Sequence, residues 1–192
     1  MGERLAPWRP RPPQEVLEVL QQVPDTVLYL VHRIGPTSFL VREDGSEIKR
    51  KVTIGSRPCC SCTPPAANGG CKELCLHLLF VMVKVLRVPP SNPLVWQLSL
   101  TDRELEEVLR CSSMPEHPPP PPPDARKAAA EKTEPGQVKR KPVDEEDPCP
   151  ICYEDMVNVD PDLLVWCRFG CGRNVHGKCM GIWAEHQQRT LG

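Results

Sequence analysis

The chain has 192 residues, a formal net charge of −1 and 5% aromatic residues. Near-neutral charge gives no electrostatic case for nucleic acid or an anionic membrane as partner, and few aromatics argue against one large core. The length suits one ordinary domain or two small ones.

The chain opens with "MGERLAPWRPRPPQEV", which lacks an apolar core of the length that secretion needs. Residues 1–24 read as an N-terminal extension. It carries a short helix over "PPQEVLEVLQQV", with Val16, Leu17 and Leu20 on one face. Two apolar, β-branched runs follow, "TVLYLVHRI" and "TSFLVRED". The Gly35-Pro36 pair between them predicts a strand-to-strand turn. "IKRKVTIG" alternates polar and apolar residues and predicts a third strand. From Glu73 to Arg87 the pattern turns helical, and Pro89 and Pro90 stop it. The apolar run here, "LCLHLLFVMVKVLRV", contains His77 and Lys84 and is too short to span a bilayer. "LTDRELEEVLR" predicts another helix, with Thr101 and Glu104 as a capping box. Residues 25–111 therefore form the first module.

Residues 112–147 contain a polyproline run, then lysine, glutamate and alanine, with hardly a large apolar side chain. Such a segment cannot bury enough surface to offset its chain entropy, so it predicts a disordered linker with a stiff polyproline start. It holds the short basic run Lys139, Arg140, Lys141. Residues 148–192 form the second module, which is too small to fold on hydrophobic burial alone.

Cysteine carries the chemistry, with 11 in the chain. In the reducing cytoplasm or nucleus, where these features put the protein, clustered cysteines with histidines favour metal over disulfides. "CCSCTPPAANGGCKELCLHLL" holds Cys60-x-Cys62, a polar turn-rich spacer, then Cys75-x-His77. Thiolates and imidazole are the usual tetrahedral ligands of zinc, and each close pair can clip one edge of the tetrahedron. Cys59 and Cys71 compete for the same role, but only the chosen pairs share a single-residue spacing. Cys111 stands alone at a helix end, with no histidine nearby in sequence, and is not a catalytic thiol candidate.

Cys-x-Cys, a spacer, and Cys-x-His opening an apolar helix after strands resembles the SWIM zinc finger. The strand "KVTIG" and the helix "CLHLLFVMVKVLRVPPSNPLVW" strengthen the likeness to the SWIM modules of MEKK-type kinases and of SWIM-domain-containing ubiquitin ligases. The resemblance covers roughly residues 25–110. It implies a ββα-like zinc fold that binds protein or nucleic acid, with no chemistry at the metal.

The second module offers Cys149-x2-Cys152, Cys167-x3-Cys171 and His176-x2-Cys179. Three donor pairs are too many for one zinc and one pair short for two. The order resembles a RING finger, with "CPIC" and "HGKCMGIW" as its most specific parts. That family interleaves its pairs, so the resemblance implies one site of Cys149, Cys152, His176 and Cys179. Cys167 and Cys171 would supply half of another. It also implies a RING cut short before its last cysteine pair, with His186 as a spare ligand and two tightly held zinc ions per chain. A PHD finger, a histone-tail reader, is the close competitor. Its marker aromatic sits before the last cysteine pair, whereas Trp183 follows the sixth ligand.

The overall expectation is a pair of small α+β zinc-bound modules, a SWIM finger and a truncated cross-brace RING. The resemblance implies an E3 ubiquitin ligase in which SWIM recruits a protein substrate and RING recruits a ubiquitin-charged E2 enzyme. Ile151 and Trp183 would form part of the E2 groove, the catalytic gain would be positional, and no residue would act as a nucleophile. Burial in the small core is the competing role for both, and it suits Trp183 better than Ile151. A non-enzymatic binding protein with an inactive RING is the alternative. No kinase glycine loop occurs in the sequence.

Overall fold

A computed structural model of the chain describes residues 4–64, 69–111, 138–144 and 147–191. The chain divides into two compact units, Met1–Ser113 and Met114–Gly192. Most of the expected linker, 112–137 and 145–146, lies outside the described residues.

The first unit is built on four antiparallel strands in the order β1-β2-β3-β4. They are β1 (Leu28–Arg33), β2 (Ser38–Glu43), β3 (Lys49–Thr53) and the two-residue β4 (Cys59–Cys60). Phe39 and Val41 of β2 and Val52 of β3 are buried, and their alternation with less buried neighbours defines the core face. The register between β1 and β2 shifts between Leu30 and His32, and Val31 at that irregularity is buried. β4 is absent from the sequence reading because two residues carry no period.

Helix α1 (Gln14–Gln22) precedes the sheet, and its core-directed positions correct the expected face. Val16 and Val23 are buried, Val19 and Leu20 are partly so, and Leu17 is exposed. Positions 16, 19, 20 and 23 make the i, i+3, i+4, i+7 stripe that a helix needs.

Helix α2 (Leu76–Phe80) starts three residues later than the pattern suggests. Gly69 and Gly70 both have positive φ, and the Cys71 amide donates to Pro58 O at 3.2 Å, so the chain up to Cys75 is held as a loop. The helix continues as a π turn, Val81–Val85, in which the Leu86 amide reaches back to Val81 O at 2.8 Å. Leu78, Leu79, Phe80, Val81, Met82 and Val85 are all buried. A helix apolar all round is a central one, and α2 packs against α1, β3 and β4.

Helix α3 (Asp102–Cys111) is capped as its sequence implies. The Thr101 amide donates to Glu104 Oε2 at 2.8 Å, and the Glu104 amide approaches Thr101 Oγ1 at 3.5 Å. Glu104 also pairs with Arg4. The N-terminal extension is strapped across residues 96–104. The Arg9 amide donates to Gln97 Oε1 at 2.9 Å, and Arg9 O accepts from Trp96 Nε1 at 3.0 Å and Gln97 Nε2 at 2.8 Å. The Leu5 amide donates to Ser99 Oγ at 3.0 Å.

The second unit holds a hairpin of β5 (Leu164–Trp166) and β6 (Asn174–His176), followed by α4 (Gly177–Leu191). Residues 138–141, linker-like in composition, run along the hairpin loop. The Val138 amide donates to Arg168 O at 2.7 Å and the Lys141 amide to Gly172 O at 2.9 Å. Buried Asn174 accepts from Arg140 Nε at 2.6 Å and donates to Lys141 O at 2.8 Å. Composition misses this because backbone hydrogen bonding needs no apolar side chain. No helix among the described residues is long and apolar enough to cross a membrane.

Gly172 sits at φ 74°, and a Cβ there would come within 2.5 Å of Lys139 O. Gly172→Ala combines left-handed strain of about 1–2 kcal/mol with that clash. It is expected to lower the thermal transition of the second unit and to speed hydrogen exchange at the Lys141 amide. Unchanged exchange there would count against the strapped arrangement.

Candidate metal centres

Two four-residue clusters emerge, each with its donor atoms within 4.8 Å of one another. The first joins Cys60, Cys62, Cys75 and His77. Strand register explains which cysteine of the Cys59-Cys60 pair takes part. Cys60 lies opposite buried Val52 and shares its face, whereas Cys59 lies opposite Thr53 and points the other way. Cys62 follows in the turn. Cys75 is the N-cap of α2 and His77 is in its first turn, so the start of the helix closes the cluster.

Cys71 stays outside the four but is not idle. Its buried Sγ accepts from the Cys60 amide at 3.0 Å and meets Thr63 Oγ1 at 3.0 Å. It thus steadies the backbone of a cluster residue, a role that spacing alone does not reveal.

The second cluster joins Cys149, Cys152, His176 and Cys179. Cys149 and Cys152 flank a tight turn closed by Tyr153 N–H to Cys149 O at 2.8 Å and Cys149 N–H to Glu154 O at 3.0 Å. Tyr153 takes φ 61° to make that turn. His176 ends β6 and Cys179 is in the first turn of α4. The ring presents Nδ1 to the sulfurs, 3.3 Å from Cys152 Sγ and 3.8 Å from Cys179 Sγ.

Cys167 and Cys171 lie in the β5–β6 loop. A hydrogen bond from the Cys171 backbone, aided by others from the Cys171 side chain and the Gly170 and Gly172 backbone, lowers the Cys167 thiol from its ordinary value despite partial desolvation. Among the described residues, no third cysteine, histidine or carboxylate joins this pair. His186 lies on α4, the helix that carries Trp183.

The two groove candidates differ in burial. Ile151 is 7% exposed and Trp183 is 39% exposed. The Cys149–Cys152 turn folds inward, so Ile151 joins Met156, Leu164, Val175 and Ile182 among the buried apolar residues of this unit. Cys111 is half-buried at the end of α3.

The electrostatics of both clusters suit a cation. Hydrogen bonding from the Cys60 side chain lowers the Cys75 thiol to about 4. Cys60 is pushed up by that same shared proton with Cys75, and Cys62 chiefly by desolvation. In the second cluster Cys149 is lowered, chiefly by the Cys152 hydrogen bond. Cys152 is pushed up to about 12, with Cys149 as first cause, and Cys179 is raised, again with Cys149 as first cause. In each cluster, then, one thiol is lowered and two are raised. Neither buried ring nitrogen of His77 has a hydrogen bond of normal geometry. A buried imidazole set among thiols fits a group that could hold a metal ion.

Metal ligation needs thiolates, so loading either cluster is expected to release protons from its thiols. Because the bound form needs thiolates, affinity is expected to fall as pH falls from 8 to 6, with proton release seen by an indicator dye during zinc titration. Binding without proton release would contradict thiolate ligation.

No family model and no solved structure matches the chain. Among characterised proteins, the E3 ubiquitin-protein ligase Zswim2 of Mus musculus is 37% identical over 162 residues, which is 83% of this chain and 24% of that protein. The human ZSWIM2 ligase is 34% identical over 164 residues, 85% of this chain and 25% of its own length. Mitogen-activated protein kinase kinase kinase 1 of Rattus norvegicus is 32% identical over 197 residues, 95% of this chain and 12% of the kinase. The chain thus spans a quarter or less of the relatives it matches. Over that span it is a SWIM-plus-RING finger protein, homologous to the ZSWIM2 ubiquitin ligases and to the matching segment of the kinase.

Proposed function

We propose that this chain is the zinc-bound, E2-recruiting portion of an E3 ubiquitin ligase. Zinc would be held by Cys60, Cys62, Cys75 and His77 in a SWIM module spanning 25–111. It would also be held by Cys149, Cys152, His176 and Cys179 in a RING module spanning 148–192. The observation that carries this reading is the pairing pattern of the second cluster. Cys149 and Cys152 meet His176 and Cys179 while the intervening Cys167–Cys171 pair stands apart, which is an interleaved arrangement. Names of the ZSWIM2 relatives supply the activity class.

Zinc here is a structural clamp, and the chain's own residues do the work. Trp183, on the outer side of α4 four residues past Cys179, offers an aromatic surface beside the cluster for a ubiquitin-charged E2. Ile151 supports that surface from within the turn. Catalysis is then a matter of holding the E2 thioester in a reactive geometry, with no nucleophile contributed by this chain. The SWIM module would engage the protein substrate or an adaptor, and the proline-rich segment would set its reach. The setting is the cytoplasm or nucleus, where thiols stay reduced and free for zinc.

Titrating the zinc-loaded chain with charged E2 is expected to shift the Trp183 indole signal and to speed ubiquitin discharge onto lysine. Trp183→Ala should slow discharge at least about tenfold, the scale of an interface hot spot, with both zinc ions retained. Equal discharge by the variant and the unaltered chain would sink this assignment. Capture of an unmodified histone peptide, with no response to E2, would favour a PHD-type reader instead.

A further inference from the structure

His77 sits on the inner side of α2 with its side chain 7% exposed, and both ring nitrogens are shielded from water. Glu43 Oε1 stands 2.9 Å from Nε2, within hydrogen-bond distance although the ring is not turned to a hydrogen-bonding angle. Glu43 is the last residue of β2, two positions beyond Val41 and four beyond Phe39, so strand alternation turns it toward the face that α2 covers. Its side chain remains 46% exposed, which spares the carboxylate most of the cost of burial.

We propose that Glu43 is the positioning residue of the first metal centre: it accepts a hydrogen bond from His77 Nε2–H and so directs Nδ1 to the metal. The inference rests on the zinc reading of that cluster and adds to it a carboxylate that the ligand set does not contain.

Three observations favour this arrangement. An imidazole bound through one nitrogen keeps a proton on the other, and a buried N–H without an acceptor is destabilising. Glu43 is the acceptor in reach of Nε2. Second, Glu43 does not belong to the group whose donors all lie within 4.8 Å of one another, so it stands beside the tetrahedron, not within it. Four donors already complete a structural zinc site. Third, the other cluster presents Nδ1 of His176 to its sulfurs, so both centres would use the same ring nitrogen. Coordination through Nε2 would instead bring the metal, about 2.0–2.1 Å from that nitrogen, up against the Glu43 carboxylate.

The consequence is mechanical as well as electronic. A carboxylate behind a ligating imidazole fixes its tautomer and ring orientation and raises its basicity. Through Glu43 the end of β2 becomes part of the metal centre, although no ligand lies on that strand.

The test uses the full chain loaded with two equivalents of zinc. Long-range proton–nitrogen NMR on the unaltered protein should show His77 with Nδ1 metal-bound and Nε2 protonated. In competition with a chromophoric chelator, Glu43→Ala should weaken one zinc by about 10–100-fold, the usual cost of losing such a partner. Glu43→Gln, which keeps an acceptor oxygen, should lie between. The zinc of the second cluster serves as internal control and should not change. Metal on Nε2, or Glu43→Ala with unaltered affinity for both zinc ions, overturns the role of Glu43 and leaves the zinc reading intact. A chain that takes up zinc at the second cluster alone overturns both.

Discussion

Convergence of two donor pairs on one point is the constraint from which the rest of each unit follows. In the first unit, Cys60 and Cys62 arrive from a short strand and its turn, while Cys75 and His77 arrive from the start of a buried helix. Bringing them within 4.8 Å fixes the loop between them, sets where α2 begins and anchors the helix on the sheet. The second unit has fewer buried apolar side chains, and three of its buried residues are the cluster cysteines Cys149, Cys152 and Cys179. Its core is in large part its donor set, as expected of a fold too small to live on hydrophobic burial.

The two units solve the same problem with different architecture. One surrounds its cluster with a four-stranded sheet and an all-apolar helix, so the donors sit at the margin of a real core. The other places its cluster between a tight turn, a hairpin and an amphipathic helix. In both, one cysteine thiol, Cys75 or Cys149, is lowered by hydrogen bonds from its neighbours. Geometry and charge therefore agree on where a cation would be most strongly attracted.

Much of this was legible in the residues because donor spacing is local. Cys-x-Cys and Cys-x-His, or Cys-x2-Cys and His-x2-Cys, advertise themselves within a few positions. The α3 capping box and the three longer strands were equally plain, since each has its own short-range signature. What escaped depended on pairing across distance. What sets Cys60 apart from Cys59 is visible only once β4 is laid against β3. The roles of Cys71 and Asn174 exist only as hydrogen bonds to distant backbone. Leu17 misled because it is apolar yet lies off the helical stripe. Ile151 is buried and Trp183 partly exposed because turn direction, which hydrophobicity does not encode, decides which of them points inward.

The strap formed by residues 4–13 carries a consequence for the order of assembly. Apart from Arg57, whose Nη2 donates to Leu5 O at 2.7 Å, its partners lie at residues 96–104, and those bonds close loops of roughly ninety residues. During synthesis those partners leave the ribosome long after the strap has emerged. The residues of the sheet and of the first cluster, which end at His77, emerge before those partners, so these strap bonds can close only after the sheet and cluster residues are available. Residues 4–13 thus close over the sheet late and are not its nucleus.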